Sequence, residues 1–382
     1  ARLGVPLLIG TAGTCGTDSM VQWLLDITRE IAAEEGQSLR VATLECSQSP
    51  ARVAQAFDAG TITPLAGAMP VNREDITGCS NIVALAGAEQ INAALQTGAE
   101  IIIAGRSTDT AVIAALPLAR GCHPGGAWHG AKIGECGALA TNNPATGAIL
   151  IEFDTEGFTV HPTGEGVRAT PLTVSAHMLY ENADPFILHE PGGHLDVTAA
   201  TYTAVEDDSS VRVTGSVGHP SERYTVKLEG ARLAGYQTIS LVLVRDRRYV
   251  EAIDQWISQL REAFVQREGS NIAADYGLEF RLIGSNATLG ALETRRQEAH
   301  EIGVLVVITA ADQQAANDIA KLLNPYLLHY ALTPNEPMPT FAFPFSPPEM
   351  DRGGLHEFVL NHVMTLERPM DAFALNVVEV GT

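Results

Sequence analysis

The sequence predicts an α/β protein, with a mostly parallel, Rossmann-like sheet followed by a second, α+β domain that contains a ferredoxin-like β-α-β-β-α-β layer. Over the first 150 residues, short apolar runs alternate with amphipathic helical segments, as in parallel sheets covered by helices. Beyond residue 150, glycine and proline become frequent and the strands alternate in polarity. The 382 residues exceed the roughly 250–300 that one core accommodates. We therefore expect two domains, at residues 1–150 and 151–382.

The first predicted domain begins with a buried strand at residues 5–9, whose continuous apolar run ends in glycine. A glycine-containing loop leads from it into a helix with one apolar face between Val21 and Ala32. The next strand covers residues 39–44, and Glu45 follows directly at its carboxyl end. Further along we predict, in order, a helix at 82–95, a strand at 101–104 and a helix at 110–118.

The second predicted domain has two parts. Residues 211–217 and 224–228 alternate between apolar and polar side chains, which is typical of antiparallel strands. The remainder is predicted to run in the order strand 239–244, helix 249–266, strands 278–283 and 302–309, helix 312–323 and strand 340–343. This order predicts the ferredoxin-like layer.

The composition excludes several classes of partner. A net charge of −21 argues against nucleic acid and against anionic membrane surfaces, both of which require a basic face. No apolar run reaches the roughly 18–20 residues of a membrane span. Five cysteines without a CxxC pair fit free thiols in a reducing compartment, so we expect a cytoplasmic protein. Because the chain lacks an initiator Met and begins almost directly on a strand, we expect it to start inside a longer gene product.

The loop at residues 10–16 has the spacing G-x-x-G-x-x-G and lies between a predicted strand and a predicted helix. Backbone N–H groups around Gly13 and Thr14 could therefore bind an anionic part of a substrate. Glu45 stands roughly where a carboxylate binds ribose in dinucleotide folds. The alternative is a tight turn, with Thr17 or Asp18 capping the helix. We expect no cofactor.

A second loop, Gly105-Arg106-Ser107-Thr108-Asp109, follows the strand at 101–104. Ligands of open parallel sheets bind at the carboxyl ends of strands, which predicts substrate binding by Gly105, Arg106 and Ser107. The guanidinium of Arg106 suits a carboxylate or a phosphate, and Asp109 could orient it or move a proton. The alternative is an Arg–Asp pair that only holds the loop, with Asp109 capping the next helix.

A third segment carries the densest chemistry. Gly134 and Gly137 flank an acid and a thiol, so that the backbone can approach a ligand closely. Glu135 is a candidate general base, and Cys136 a candidate nucleophile or acid. With His129 these two residues could bind a metal, but the spacing matches no standard site and we expect none.

Residues 174–181 read as a helix, which would place His177 and Glu181 four residues apart on one face. His177 is therefore a further candidate for acid–base catalysis. A purely structural pair is the alternative.

These motifs together resemble the AtuA-like acyclic terpene utilisation family. The resemblance rests on the ordered segments "AGRSTDTA", "KIGECGAL", "TPLTVSAHMLYENADP", "PGGHLDVT", "VKLEGA", "HEIGV" and "FAFPFSPPEMDRGGLHEFVLNHV", and it extends from about residue 5 to residue 373. Gly134 departs from relatives that often carry Leu before the Glu. Relatives usually have a further N-terminal segment, and some have a small companion domain.

The resemblance implies a role in the catabolism of branched acids as acyl-CoA thioesters, and it supplies no established catalytic residues. Our hypothesis is a hydro-lyase or hydratase that acts on a small carboxylic acid or its acyl-CoA thioester. Arg106 would hold the carboxylate, Glu135 would move the proton, and Cys136 or His177 would be the complementary acid. A non-catalytic binding or assembly subunit and a metal hydrolase are the alternatives. We expect a homo-oligomer, with a small companion subunit as a conceivable partner.

Overall fold

The computed structural model describes residues 3–205, 208–269, 272, 275–295 and 298–381, which form a mixed α/β protein with parallel and antiparallel sheets. Two compact units are present: the first comprises Ala1–Ala231 and Phe358–Thr382, and the second comprises Arg232–Glu357. The predicted boundary near residue 150 falls inside the first unit and stays a prediction. Among the described residues, no helix is both long and apolar enough to cross a membrane.

The strands are β1 Leu7–Ile9, β2 Leu39–Glu45, β3 Ile62–Pro64, β4 Asn81–Ala84, β5 Ile101–Ala104, β6 Ile149–Phe153, β7 Gly157–Pro162, β8 Ile187–Glu190, β9 Gly193–Asp196, β10 Thr201–Val205, β11 Ser210–Thr214, β12 Val217–Pro220, β13 Tyr224–Val244, β14 Gly277–Ile283, β15 Ile302–Ala310, β16 Met350–Leu366 and β17 Ala374–Val380. The α-helices are α1 Asp18–Glu34, α2 Pro50–Asp58, α3 Arg73–Thr77, α4 Ala88–Leu95, α5 Asp109–Ala119, α6 Pro124–Gly134, α7 Pro171–Ala176, α8 Arg247–Glu251, α9 Ile253–Glu268 and α10 Gln313–His329.

The first sheet of unit 1 has the order β1-β5-β2-β17. Its first three strands are parallel, with Ile101 opposite Leu7 on one side and Val41 on the other. The strands predicted at 39–44 and 101–104 are therefore confirmed, and the strand predicted at 5–9 is confirmed over Leu7–Ile9. Strand β17 pairs antiparallel with β2, so the parallel part ends at a strand from the other end of the chain. The finer, Rossmann-like description of this sheet stays a prediction.

The helix predicted at residues 82–95 is wrong over residues 82–87. Residues 81–84 form β4, which pairs antiparallel with β13 through Ala84 and Leu228. The helix begins only at Ala88, where the N–H of Gly87 donates to the side chain of Gln90 at 2.8 Å. Residues 82–86 are all buried. A run buried on every side has no polar face, and its period cannot distinguish a strand from a helix.

Two further antiparallel sheets complete the scaffold of the site in unit 1, with the orders β10-β11-β7-β6 and β12-β9-β8. Buried side chains of both sheets, including Phe158 and Leu195, form one core cluster with Ile133 of α6. Helix α6 approaches β7 closely, since a Cβ on Gly126 would lie 2.8 Å from the Cα of Gly157. This contact lies in the first turn of α6, and the candidate catalytic residues follow the other end of the helix, where a Cβ on Gly134 would lie 3.0 Å from both Ile113 and Ile151.

Unit 2 contains β15 between β14 and the second half of β13, with all pairings antiparallel. Helices α9 and α10 bury Trp256, Phe264 and Leu323 against this layer. The predicted helix at 249–266 is interrupted at Ala252, which separates α8 from α9. The order β-α-β-β-α is present here, whereas the ferredoxin-like assignment stays a prediction.

Candidate functional site

The loop after β5 leads into helix α5 through Thr108. The Thr108 hydroxyl accepts a hydrogen bond from the Ala111 N–H at 3.2 Å and so caps the helix. The same hydroxyl donates to Glu190 at 2.7 Å. Thr110, in the first turn of α5, also donates to Glu190. A carboxyl group from β8 is therefore held by two hydroxyl groups from the start of α5.

Glu190 also lies on the wall of a cavity of about 410 Å³, whose apolar lining includes Leu118, Trp128 and Leu195. Burial raises the pKa of Glu190 from 4.5 to about 7, against the opposing effect of the two threonine hydroxyls. The charge of Glu135 raises this pKa further and that of Lys132 lowers it, so both groups lie close by. Sequence reasoning missed Glu190. The only local signal was an acid immediately before the Pro191-Gly192-Gly193 turn.

A cluster of three functional groups lies where α6 ends. One ligand-type atom each from Glu135, Cys136 and His177 lies within 4.8 Å of the other two. Helix α6 supplies Glu135 and Cys136 directly after its last residue, and His177 follows α7. Lys132, one turn earlier on α6, donates to Oε1 of Glu135. The structure thus brings together three of the four predicted catalytic side chains.

The fourth, Asp109, acts electrostatically on this cluster. Burial raises the pKa of Glu135, Lys132 opposes the shift, and Asp109 adds to it. Burial also raises the pKa of the Cys136 thiol, with a further contribution from Glu135. The pKa of His177 is lowered, first by burial and then by Lys132. Both shifts favour the uncharged forms, which are the thiol of Cys136 and the neutral imidazole of His177.

Tyr180 links the histidine and the lysine of this cluster. Its ring stacks on His177, with centroids 5.6 Å apart and planes at 17°, and Nζ of Lys132 lies 5.9 Å from the centroid of the Tyr180 ring. The prediction that His177 and Glu181 share a helical face is wrong. Helix α7 ends at Ala176, a short 3-10 turn follows, and Glu181 has a φ of +54°. The chain therefore turns away before the fourth residue that a shared face requires.

Arg106 lies in a separate polar group. Its Nε donates to Glu229 Oε2 at 2.8 Å, and Lys227 donates to the other oxygen of Glu229 at 2.9 Å. The Arg106 guanidinium also approaches the Thr11 hydroxyl at 3.4 Å. The Nε side of the Arg106 guanidinium, which was predicted to hold a substrate carboxylate, thus donates to Glu229. The proposed role of Arg106 in substrate binding stays a prediction.

The glycine loop packs against the Arg106 segment. Gly13, Thr14 and Gly16 all have a positive φ, of 57°, 64° and 66°. The Arg106 N–H donates to the Gly16 carbonyl at 2.9 Å, and a Cβ on Gly16 would lie 2.2 Å from the nitrogen of Arg106. Only glycine fits at this position. The loop is thereby fixed as a neighbour of Arg106.

Asp18 connects this loop to the end of β2. One of its oxygens accepts from the N–H groups of Cys46 and Ser47, each at 2.9 Å. Burial raises the pKa of Glu45, and the charge of Asp18 raises it further. Thr17 is the N-cap residue of α1, but its side chain makes no capping hydrogen bond. Asp18 thus joins the glycine loop to the end of β2, and the role of Gly13, Thr14 and Glu45 in substrate binding stays a prediction.

The remaining predicted residues occupy tightly packed positions. A Cβ on Gly105 would lie 2.8 Å from the Gly16 carbonyl oxygen, and one on Gly134 would lie 3.0 Å from Ile113. Gly137 has a φ of +53°, which allows the turn after Cys136. The Ser107 hydroxyl is buried and has no hydrogen-bond partner among the described residues. The segment 106–109 contributes to both polar groups and connects them.

Among the residues that the structure describes, the group that could hold a metal ion consists of Glu135, Cys136 and His177, and His129 is not part of it. His129 Nδ1 lies 2.7 Å from the Ser216 hydroxyl and its Nε2 lies 3.3 Å from the Tyr202 hydroxyl. Burial lowers its pKa to about 3, so His129 is a neutral core residue. The sequence-based grouping of His129 with Glu135 and Cys136 is therefore not found, and His177 lies beside these two residues instead.

Comparison with known proteins gives one match. The model of the acyclic terpene utilisation family protein AtuA matches residues 8–334, which include both polar groups described above. No curated protein and no solved structure matches the chain. The matched segment is most of the chain, and the resemblance seen in the sequence motifs is confirmed. This protein therefore belongs to the AtuA family of acyclic terpene utilisation proteins, which indicates a role in catabolism.

Proposed function

We propose that the protein is a lyase of the hydro-lyase type, which adds or removes water beside the carbonyl group of a small carboxylic acid or its acyl-CoA thioester. The observation that carries this proposal is the position of Glu190. Its carboxyl group is held by Thr108 and Thr110 on the wall of a largely apolar cavity, with a pKa of about 7. The catabolic role of the family is consistent with such a reaction.

Glu190 suits the removal of a proton from carbon. A general base works best when its pKa lies near the working pH, because enough of it is then ionised while it still binds the proton firmly. The two threonine hydroxyls also fix the direction of the carboxylate, and a positioned base needs such support. This assignment differs from the sequence-based hypothesis, in which Glu135 moves the proton.

Elimination of water requires a second group, which assists the departing hydroxyl. The Glu135–Cys136–His177 cluster can supply it, since Glu135 is close enough to Glu190 to act on its charge. The side chains of Leu118 and Trp128 would cover the carbon skeleton of the substrate. In the proposed reaction the cavity would hold the substrate, Glu190 would accept the proton and the cluster would assist the leaving group.

The test is a mass-spectrometric screen of organic acids and acyl-CoA thioesters for the gain or loss of one water molecule. We expect turnover by the purified chain, and a decrease of at least about 100-fold in kcat for Glu190→Gln. Glu30→Gln, on the exposed face of α1, is the matched control and should keep full activity. Full activity of Glu190→Gln would contradict the proposal. Failure of the chain to act on any compound would instead favour the binding or assembly role.

A further inference from the structure

We propose that Glu135, Cys136 and His177 bind a divalent metal ion of the zinc type. Their three ligand-type atoms already form a triangle in which no pair is more than 4.8 Å apart. Ligand atoms around tetrahedral zinc, at about 2.0–2.3 Å from the ion, are themselves about 3–4 Å apart. Small rotations of the three side chains would therefore complete the site without movement of the backbone.

The histidine of the cluster gives independent support. His177 is only 5% exposed, and its Nε2 is buried without a hydrogen-bond partner among the described residues. A buried polar atom of this kind ordinarily has a partner, because leaving it unsatisfied costs free energy. Coordination of an ion is one way to satisfy an imidazole nitrogen that has no hydrogen bond.

The side chains around the cluster are arranged as support for ligands. Lys132 donates to Oε1 of Glu135, which orients the carboxylate and leaves Oε2 for an ion. Tyr180 stacks on the ring of His177 and limits its rotation. Outer contacts of this kind are a general feature of metal centres, where they fix the direction of each ligand.

The local charge also favours a cation. Asp109 and Glu181 both act electrostatically on Glu135, whereas Lys132 is the one cation among the principal groups that do so in the described part of the chain. Carboxylates thus outnumber cations around Glu135. A substrate that carries a carboxylate would add a further negative charge. A divalent ion would offset this excess.

The ligand types indicate which metal is bound. Magnesium and calcium take oxygen ligands, whereas one thiolate, one imidazole and one carboxylate suit zinc. Three protein ligands leave the fourth position of a tetrahedral ion open, as in catalytic zinc sites. The role of the ion rests on the proposed function: at the open position it would polarise the carbonyl oxygen or the departing hydroxyl.

A second group of histidines serves as an internal comparison. His189, His194 and His219 lie opposite one another on β8, β9 and β12. The rings of His194 and His219 are stacked, with centroids 4.8 Å apart and planes at 21°, so they do not point toward a common centre. We therefore assign the ion to the Glu135–Cys136–His177 cluster.

The experiment is calorimetric titration of the metal-free full-length chain with Zn²⁺, combined with absorption spectra after addition of Co²⁺. We expect one high-affinity equivalent and a near-ultraviolet thiolate-to-cobalt band. Cys136→Ser should abolish the band, and Glu135→Gln and His177→Gln should each weaken Zn²⁺ binding by at least about 10-fold. The matched controls Cys122→Ser and His194→Gln should bind as the wild type does.

A second measurement avoids dependence on the folding of the variants. In the wild-type chain, Zn²⁺ should slow the alkylation of Cys136 by a thiol reagent and leave that of Cys122 unchanged, as followed by peptide mass spectrometry. Absence of Zn²⁺ binding, retention of binding by Cys136→Ser, or its loss in His194→Gln would overturn the metal site. Binding without turnover on any substrate would instead count against the proposed reaction alone.

Discussion

The Thr108 hydroxyl donates to Glu190 at 2.7 Å and accepts from the Ala111 N–H at 3.2 Å. One side chain thus starts helix α5 and directs a carboxyl group that lies 82 positions further along the chain. Formation of the helix and placement of the proposed base are therefore coupled. Any change that removes the Thr108 hydroxyl is expected to affect both stability and the pKa of Glu190.

Replacement of Thr108 by Val removes both hydrogen bonds and preserves the shape of the side chain. We expect a loss of about 1 kcal/mol in the free energy of unfolding, which is typical for a lost N-cap. Because the threonine hydroxyls lower the pKa of Glu190, this pKa should rise further above 7. Chemical denaturation and the pH dependence of stability measure the two effects. Thr108→Ser keeps the hydroxyl and should change neither the free energy of unfolding nor the pKa of Glu190. If Thr108→Ser changed them as much as Thr108→Val does, the role of the Thr108 hydroxyl would be contradicted.

Glu190→Gln is predicted to change how stability depends on pH. The folded pKa of about 7 exceeds the ordinary value of 4.5, so the folded state binds the proton more tightly than the unfolded chain does. The stabilising effect is complete below pH 4.5 and is lost as the pH rises through 7. Relative to Glu190→Gln, the wild type should lose roughly 3 kcal/mol over this range. Parallel pH profiles for the two proteins, obtained by urea denaturation, would refute the raised pKa.

The rate of the proposed reaction should rise with pH through about 7, since Glu190 has to be ionised to accept a proton. The profile of kcat/KM reports the group in the free enzyme and is the quantity to measure. Thr108→Val should move the ascending limb to higher pH. A limb that stays at the same pH in this variant would assign the titration to another residue.

Two glycines with a similar positive φ provide a matched pair. A Cβ on Gly16, at φ +66°, would meet the backbone of Arg106 at 2.2 Å, whereas one on Gly36, at φ +59°, would meet nothing within 4 Å. Gly36→Ala should therefore cost only the conformational strain, about 1 kcal/mol. Gly16→Ala should cost several kcal/mol and displace the Arg106 loop. Thermal unfolding of both variants measures the two losses of stability. Similar losses would contradict the prediction, because they would mean that the loop adjusts to the added methyl group without cost.

Much of the first sheet and part of the candidate site were predictable from the sequence. Continuous apolar runs identified β1, β2 and β5, and their carboxyl ends located the segment 105–109. Glu135 and Cys136 were identified by their glycine neighbours, whereas His177 was identified through a helical pairing with Glu181 that the structure contradicts. The structure brings these three side chains within 4.8 Å of one another.

Glu190 was missed for a physical reason. Its pKa is raised by burial against the opposing effect of hydroxyl groups on a helix about 80 residues earlier, and no local pattern around residue 190 records either influence. The pairing of His177 with Glu181 failed because α7 ends at Ala176, so the helical period was extended beyond the real helix. Strand β4 was misread because its run is buried on all sides. In each case the local structure depends on packing against residues distant in sequence, which the local pattern of apolar and polar residues does not reveal.

The pairing of β17 with β2 has a consequence for biosynthesis. Residue Leu375 lies opposite Leu44, so the sheet that begins near the start of the chain gains its last strand only after some 330 further residues have been translated. Contacts of such long sequence separation slow folding, and they leave the edge of β2 open on the ribosome. We therefore expect nascent chains to depend on chaperones until synthesis has passed residue 380.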